Sequence, residues 1–260
     1  MSLRIDTCAA RHRGDRAEQQ DRVGIFIHPR HPQLILAVLA DGMGGFAGGA
    51  LAAEQVLQHA REAFETHVPK RESARDMLTR LVESAHLAVR LSRFMNGQRP
   101  RSTIAALLWQ PQRVDWVHCG DSRIYHYRGG QLVGRTEDHS VVAQLISEGR
   151  MSLAEAPQHP KRHVLHSSLG GDRMPQMSFS GIGGVHAGEH FLLCSDGLWT
   201  HVDEVEMGRI LDRFPAREAA QRLIECARER AQGEGDNVSL AVLRCVEAGA
   251  GSAPGGAGKD

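Results

Sequence analysis

Four aspartates stand where an apolar run of this chain stops or starts, beside glycine or a small polar residue. The run LILAVLA ends in Asp41 and Gly42, and FLLCS ends in Asp196 and Gly197. WVHCG leads into Asp121, and Asp236 precedes the run NVSLAVL. A carboxylate at a strand end, next to glycines that expose backbone carbonyls, suits a hard divalent cation. Any one of these aspartates reads equally well as a turn-former or helix cap. Four of them at equivalent edges of a strand-rich core describe an acidic site that cations stabilise. The segment RAEQQD adds Arg16, Gln20 and Asp21 between the first two strand-like runs. Arg16 is either an ion-pair partner of the acidic site or a bidentate clamp for phosphate, which guanidinium geometry suits.

The glycine loop after Asp41 also satisfies a dinucleotide-binding fingerprint, with Gly42, Gly44 and Ala47 at its three positions. Two features oppose that alternative. A carboxylate directly before the loop repels a pyrophosphate. The acid expected about 20 residues on belongs at the end of a second strand, whereas Glu62 and Glu65 fall inside a helical pattern.

The elements that must position these residues are legible from periodicity. Strand-like runs cover 3–9, 22–28 and 34–40, followed by two helical stretches. Ala52, Val56, Ala60 and Phe64 recur at helical spacing in the first, and Leu78, Leu81, Ala85 and Ala88 in the second. Strands return at 103–110, 113–119 and 123–127, with a turn at Gly129 and Gly130 and a further short run. A helix at 141–148 opens a region rich in His and Pro. A strand at 191–194, a helix at 216–230 and a strand at 238–245 complete the pattern, with a helix also expected to begin near Gly49. Strands in blocks and helices in pairs predict an α+β fold, with antiparallel sheets stacked on each other and helices outside. One domain is expected over 1–245, and the small-residue stretch 246–260 is expected to be a disordered tail.

Composition narrows the function classes. The chain has 260 residues, with 31 Lys and Arg against 31 Asp and Glu, and 41% hydrophobic residues. Zero net charge and 5% aromatics argue against a nucleic-acid or anionic-membrane binder. The start MSLRIDTCAA has no signal-peptide pattern, and no apolar run approaches the roughly 20 residues of a membrane helix. Five scattered cysteines without a C-x-x-C pair suit reduced thiols and a cytoplasmic location.

RAEQQD, DGMGG, GDSR, SDGLW and GDN, in this order, resemble the metal-dependent type 2C (PPM-type) protein serine/threonine phosphatase family, in its compact bacterial form. The resemblance extends over about 3–245, and EDHS, HPKRH and SLGG resemble the family's flap, about 139–166, and the segment after it. It implies a central sandwich of two antiparallel sheets flanked by pairs of antiparallel helices, four layers in all. It implies that Asp41 bridges two Mn²⁺ or Mg²⁺ ions, with the Gly42 carbonyl on one, and that Asp196 and Asp236 hold the other. Asp121 with Asp196 would take a third, weaker ion. Gln20 stands where many members carry Glu, so that contact with a metal, direct or through water, would be neutral. Asp21 would orient metal-bound waters and Arg16 would bind the phosphoryl oxygens. His163 is expected to be a solvated flap residue, with the third ion as its alternative role. Arg101, Ser102 and Thr103 replace a Gly-containing version and read as structural.

The implied activity is hydrolysis of phosphoserine and phosphothreonine by in-line attack of water, opposing a Ser/Thr kinase, by a monomer with phosphoproteins as partners. The alternatives are a pseudophosphatase that binds phosphoproteins without turnover, which the retained carboxylates oppose, and the nucleotide binder of the glycine loop.

Overall fold

Strand β3 (Ile35–Met43) sends Leu36, Val38 and Ala40 to one face and Ala37 and Leu39 to the other, and all five are buried. A strand apolar on both faces must be covered twice. The computed structural model, which describes residues 3–96 and 99–248, covers it with helices on one side and a second sheet on the other.

One sheet runs in the order β2 (Asp21–Ile27), β3, β5 (Ile104–Gln110), β6 (Arg113–Cys119) and β9 (Ser178–Gly183), with β4 (Arg101–Ser102) paired to the end of β3. The other runs β1 (Leu3–His12), β11 (Val238–Glu247), β10 (Glu189–Cys194), β7 (Arg123–Arg128) and β8 (Gln131–Arg135). Every pairing is antiparallel. Helices α1 (Phe46–Glu65) and α2 (Ala74–Asn96) cover the first sheet through Ala52, Val56, Ala60, Phe64, Leu78, Leu81 and Ala85. On the opposite face, α5 (Glu204–Arg213) and α6 (Ala216–Ala231) bury Met207, Leu211, Ala220, Leu223 and Ala227 against Tyr125, Tyr127 and Leu240. Between the sheets lie Leu107, Trp109, Phe191, Leu193, Ala241 and Leu243. The result is helix, sheet, sheet, helix: the four-layer α+β arrangement expected.

Residues 139–166 leave the sandwich as a flap closed at its base by two backbone bonds, Val141 N–H to Val164 O and His166 N–H to His139 O, each 2.9 Å. The flap contains α3 (Val141–Ser147), capped by Ser140, whose Oγ accepts from Ala143 N–H.

Three expectations change. The helix after the glycine loop begins at Phe46, three residues earlier than Gly49. Strand β11 continues through Val246 and Glu247, paired with Arg4 and Leu3, so it takes two residues assigned to the tail, and 249–260 lie outside the described residues. Finally, β9 and α5 are elements that periodicity did not supply. β9 is a half-buried edge strand with Ser and Gly at four of six positions, and α5 declares itself mainly through its cap, where Asp203 Oδ1 accepts from Glu206 N–H.

All five cysteines are free. Among the described residues, no helix is long and apolar enough to cross a membrane.

Candidate active site

The antiparallel hairpin of β2 and β3 sets Asp21 directly opposite Asp41. Asp121 lies in the break between β6 and β7. Asp196 opens α4 (Asp196–Trp199), the helical turn that follows β10, and Asp236 lies just before β11. These strand ends share one end of the sandwich, so the topology gathers the acids. Arg16, Gln20, Asp41, Gly42, Asp121, Asp196 and Asp236 line a single cleft of about 530 Å³, with His163 of the flap exposed at its wall. Asp21 lies behind it, 2% exposed, where it accepts a 2.8 Å hydrogen bond from Ser195 Oγ–H.

Backbone bonds fix the acids in place. Asp41 N–H donates to Thr103 Oγ1 at 3.0 Å, and its carbonyl accepts from Thr103 N–H at 2.9 Å and Ser102 Oγ–H at 3.1 Å. Thr103 Oγ1 is in turn 2.7 Å from Ser122 Oγ, beside Asp121. The Asp121 carbonyl accepts from the Trp199 indole N–H at 3.0 Å. The Arg123 guanidinium sits 3.7 Å from the centre of the Trp199 ring and grips both oxygens of Asp138 at 2.8 Å, beside the flap stem.

Glycine is required at Gly42 and Gly49. A Cβ on Gly42 would collide with the Gly49 carbonyl oxygen, and one on Gly49 would lie 2.6 Å from the Gly42 oxygen. Gly42 belongs to β3 itself, so the glycines let the first turn of α1 cross the strand end. The dinucleotide alternative loses its motivation: the loop is a packing crossing, and Glu62 and Glu65 lie within α1.

Burial and mutual repulsion raise the acids. Burial first, and then Asp196 and Asp236, push Asp21 up to about 8 against the opposing hydrogen bond from Ser195. Burial and then Asp196 and Asp138 push Asp121 to about 7, and burial and then Asp236 push Asp196 to about 6. Asp41 rises well above the carboxylate range through burial and the fields of Asp21, Asp196, Asp121 and Asp236. Arg16 bonds to the group directly, donating from Nη2 to Asp236 Oδ2 at 2.6 Å, and the charge of Arg123 also acts on Asp121 and Asp196. Among the described residues, no three His, Cys, Asp or Glu side chains already close round one point. The carboxylates ring the cleft instead, which fits hard ions that keep several waters and take one or two carboxylates each.

Asn237, missed as a functional residue although it lies in the GDN motif, organises the loop that carries Arg16 and Gln20. Its Oδ1 accepts from Gln20 N–H at 2.6 Å, and its Nδ2 donates to Arg13 O at 2.7 Å and Glu18 O at 2.9 Å. An Asn flanked by an acid and an apolar strand was the available signal. Asn237→Ala removes all three bonds at a 5% exposed position. The expected loss is about 2–3 kcal/mol, read as a melting temperature lowered by about 6–10 °C. An unchanged melting curve would deny Asn237 this role.

Comparison with known proteins agrees with the geometry. The family model for protein phosphatase 2C matches residues 8–233. Over 218 residues the chain is 33% identical to the serine/threonine protein phosphatase PstP of Mycobacterium tuberculosis, covering 82% of this chain but only 40% of the length of that relative. It is 27% identical over 235 residues to the protein phosphatase PhpP of Streptococcus pneumoniae, covering 89% of this chain and 94% of that one. The structure of a PstP catalytic domain in complex with two manganese ions superposes with a TM-score of 0.76 at 30% identity, over 95% of this chain and all of that one.

Proposed function

Because the chain belongs to the protein phosphatase 2C family, we propose that its cleft hydrolyses phosphoserine and phosphothreonine in proteins with Mn²⁺ or Mg²⁺ as cofactor. The observation that carries this is the gathering of Asp41, Asp121, Asp196 and Asp236 in one cleft with Arg16 at its edge. The two manganese ions of the PstP catalytic domain support the choice of cofactor. Asp41 and the Gly42 carbonyl, with Gln20, would hold one ion, Asp41, Asp196 and Asp236 the other, and Asp121 with Asp196 a third. When bound, such ions supply a water ionised near neutral pH and offset the charge of the phosphoryl group.

The chain's own residues do the rest. Arg16 spends one N–H on Asp236 and keeps others for phosphoryl oxygens, a bidentate fit that a lysine would not offer. Asp21 holds its place through Ser195 and orients the waters in front of it. His163 stands at the wall as an exposed flap residue. A cysteine nucleophile is not needed, and burial pushes the Cys119 thiol up to about 11. Action in the cytoplasm as a monomer, against a Ser/Thr kinase and on its phosphoprotein products, belongs to the same proposal, and the five free thiols suit it.

The test is phosphate release from p-nitrophenyl phosphate and phosphothreonine peptides. Release is expected with Mn²⁺ and abolished by EDTA. Undiminished release in metal-free buffer, or none with Mn²⁺, rejects the proposal. Binding of phosphopeptides without release would favour the pseudophosphatase.

A further inference from the structure

The replacement at 101–103 does more than pair a strand. Arg101 lies on β4 opposite Met43, two residues past Asp41 along β3. Strand geometry puts its Cα about 8 Å from that of Asp41. On its other side β4 bridges Leu169 through Ser102, with backbone bonds of 2.8 and 3.3 Å. The Arg101 side chain therefore emerges over the 169–171 backbone. Gly171 makes room for it there, since a Cβ at that position would fall 2.5 Å from Arg101 Nη1.

The guanidinium lines a groove of about 640 Å³ together with Arg173 and the exposed Met174. This groove opens into the aspartate cleft at Met43, His163 and Leu165, which line both. The carboxylate on the groove, Asp172, is already paired with Arg93, and Arg93, with Arg90 and Arg101 behind it, holds Asp172 below the ordinary carboxylate range. Among the described residues, the side chains of Arg101 and Arg173 make no hydrogen bond or ion pair. Besides its backbone pairing, β4 is tied to β3 through the Ser102 hydroxyl, not through Arg101. Two guanidinium groups that make no hydrogen bond or ion pair among the described residues thus stand at the mouth of a cleft whose own lining is acidic.

We propose that Arg101, with Arg173, forms an accessory anion subsite that takes an acidic side chain of the substrate two to four residues from the phosphorylated residue. The offset follows from about 3.3–3.6 Å per extended residue and the length of an arginine. The acid can be a carboxylate or a second phosphate, both of which guanidinium binds bidentately. The inference deepens the proposed phosphatase function and rests on it.

A panel of phosphothreonine peptides in an alanine background, with one Glu or one phosphoserine walked through four positions on each side, tests it. With Mn²⁺, the protein is expected to favour Glu over Ala by about five- to tenfold in kcat/KM at positions on one side, through KM rather than kcat. The ratio should shrink in about 0.5 M KCl. It should fall to about one in Arg101→Gln and below one in Arg101→Glu, with the Ala peptide as reference within each variant. A response to phosphoserine alone supports a subsite for a second phosphate, and a response to both supports one for acidic residues in general. Equal kcat/KM for all three residues at every position overturns the subsite, as does a preference that survives in the Arg101→Gln, Arg173→Gln double variant. Hydrolysis of p-nitrophenyl phosphate by the unaltered protein checks the phosphatase function separately. If that fails, anisotropy of labelled copies of the same peptides decides the subsite alone, and equal Kd values overturn it.

Discussion

Asn in place of Asp41 lowers kcat/KM for a phosphopeptide by about 10³-fold or more, and the same variant melts at a higher temperature in EDTA than the parent protein. The two effects have one origin. Asp41 is partly buried in the cleft wall, and Asp21, Asp121, Asp196 and Asp236 all push against its charge. An amide of the same shape keeps the backbone bonds to Ser102 and Thr103 and removes the repulsion. It also removes the carboxylate proposed to bridge two ions, and 10³-fold corresponds to about 4 kcal/mol of transition-state stabilisation. The gain in fold stability should be about 1–2 kcal/mol, a rise of about 2–8 °C in a domain of this size. Activity within tenfold of the parent rejects the bridging role. Lost activity together with a lower melting temperature would instead make Asp41 a structural residue.

In EDTA, melting temperature falls as pH rises from about 7.5 to 8.5, and Mn²⁺ abolishes the fall. A carboxyl whose folded pKa lies above its unfolded value binds extra protons in the folded state, so its contribution is lost as pH rises towards the folded value. Asp21, at about 8, still titrates in this window, and Asp41, held well above the carboxylate range by burial and its acidic neighbours, acts in the same direction. Asp196, at about 6, has largely finished by its lower edge. The buried histidines act with the opposite sign. Burial holds His139 down to about 3 and His190 to about 4, so they add stability as pH rises until the unfolded chain's imidazoles are neutral, about one unit above their pKa near 6.5. Above that point the raised acids dominate. A loss of about 1 kcal/mol over the window, or about 2–4 °C, is the expected size. Ions that displace those protons should stabilise the fold more at pH 8.5 than at 6.5. A flat profile in EDTA between 7.5 and 8.5 contradicts the raised pKa values.

The gathering of Asp41, Asp121, Asp196 and Asp236 was legible because each closes or opens an apolar run, and strand ends in a sandwich share an edge. The core was legible for the same reason: β3 carries the continuous apolar run Ile35 to Ala40 and β10 the run Phe191 to Cys194, as strands covered on both faces must. Other features depend on partners remote in the chain. Asn237 acts on Arg13, Glu18 and Gln20, more than 200 residues away, and nothing local marks that reach. Ser195 reads as an ordinary residue after a strand until Asp21 is placed against it. Arg101 read as structural because its neighbours along the chain belong to a strand. Its surroundings come from the segment after the flap, beyond the reach of local periodicity. β9 was missed because its burial is partial and Ser and Gly hold four of its six positions, and α5 because it is only ten residues long and five of them are charged, although Met207 and Leu211 are spaced for one buried face.

The pairing of β1 with β11 has a consequence for how the site comes into being during synthesis. β1 hydrogen-bonds to no other strand of its sheet, and all ten of its residues find their register partners between Val238 and Glu247. A nascent chain that has not yet emerged past that strand holds β1 unpaired and β10 with one side open, both exposed edges. It also lacks Asp236 and the Asn237 clasp on the Arg16 loop. Among the described elements, β11 and the residues just before it therefore complete the cleft last, in the same step that closes the sheet. A chain cut before Asp236 lacks both the closed sheet and the finished aspartate cleft.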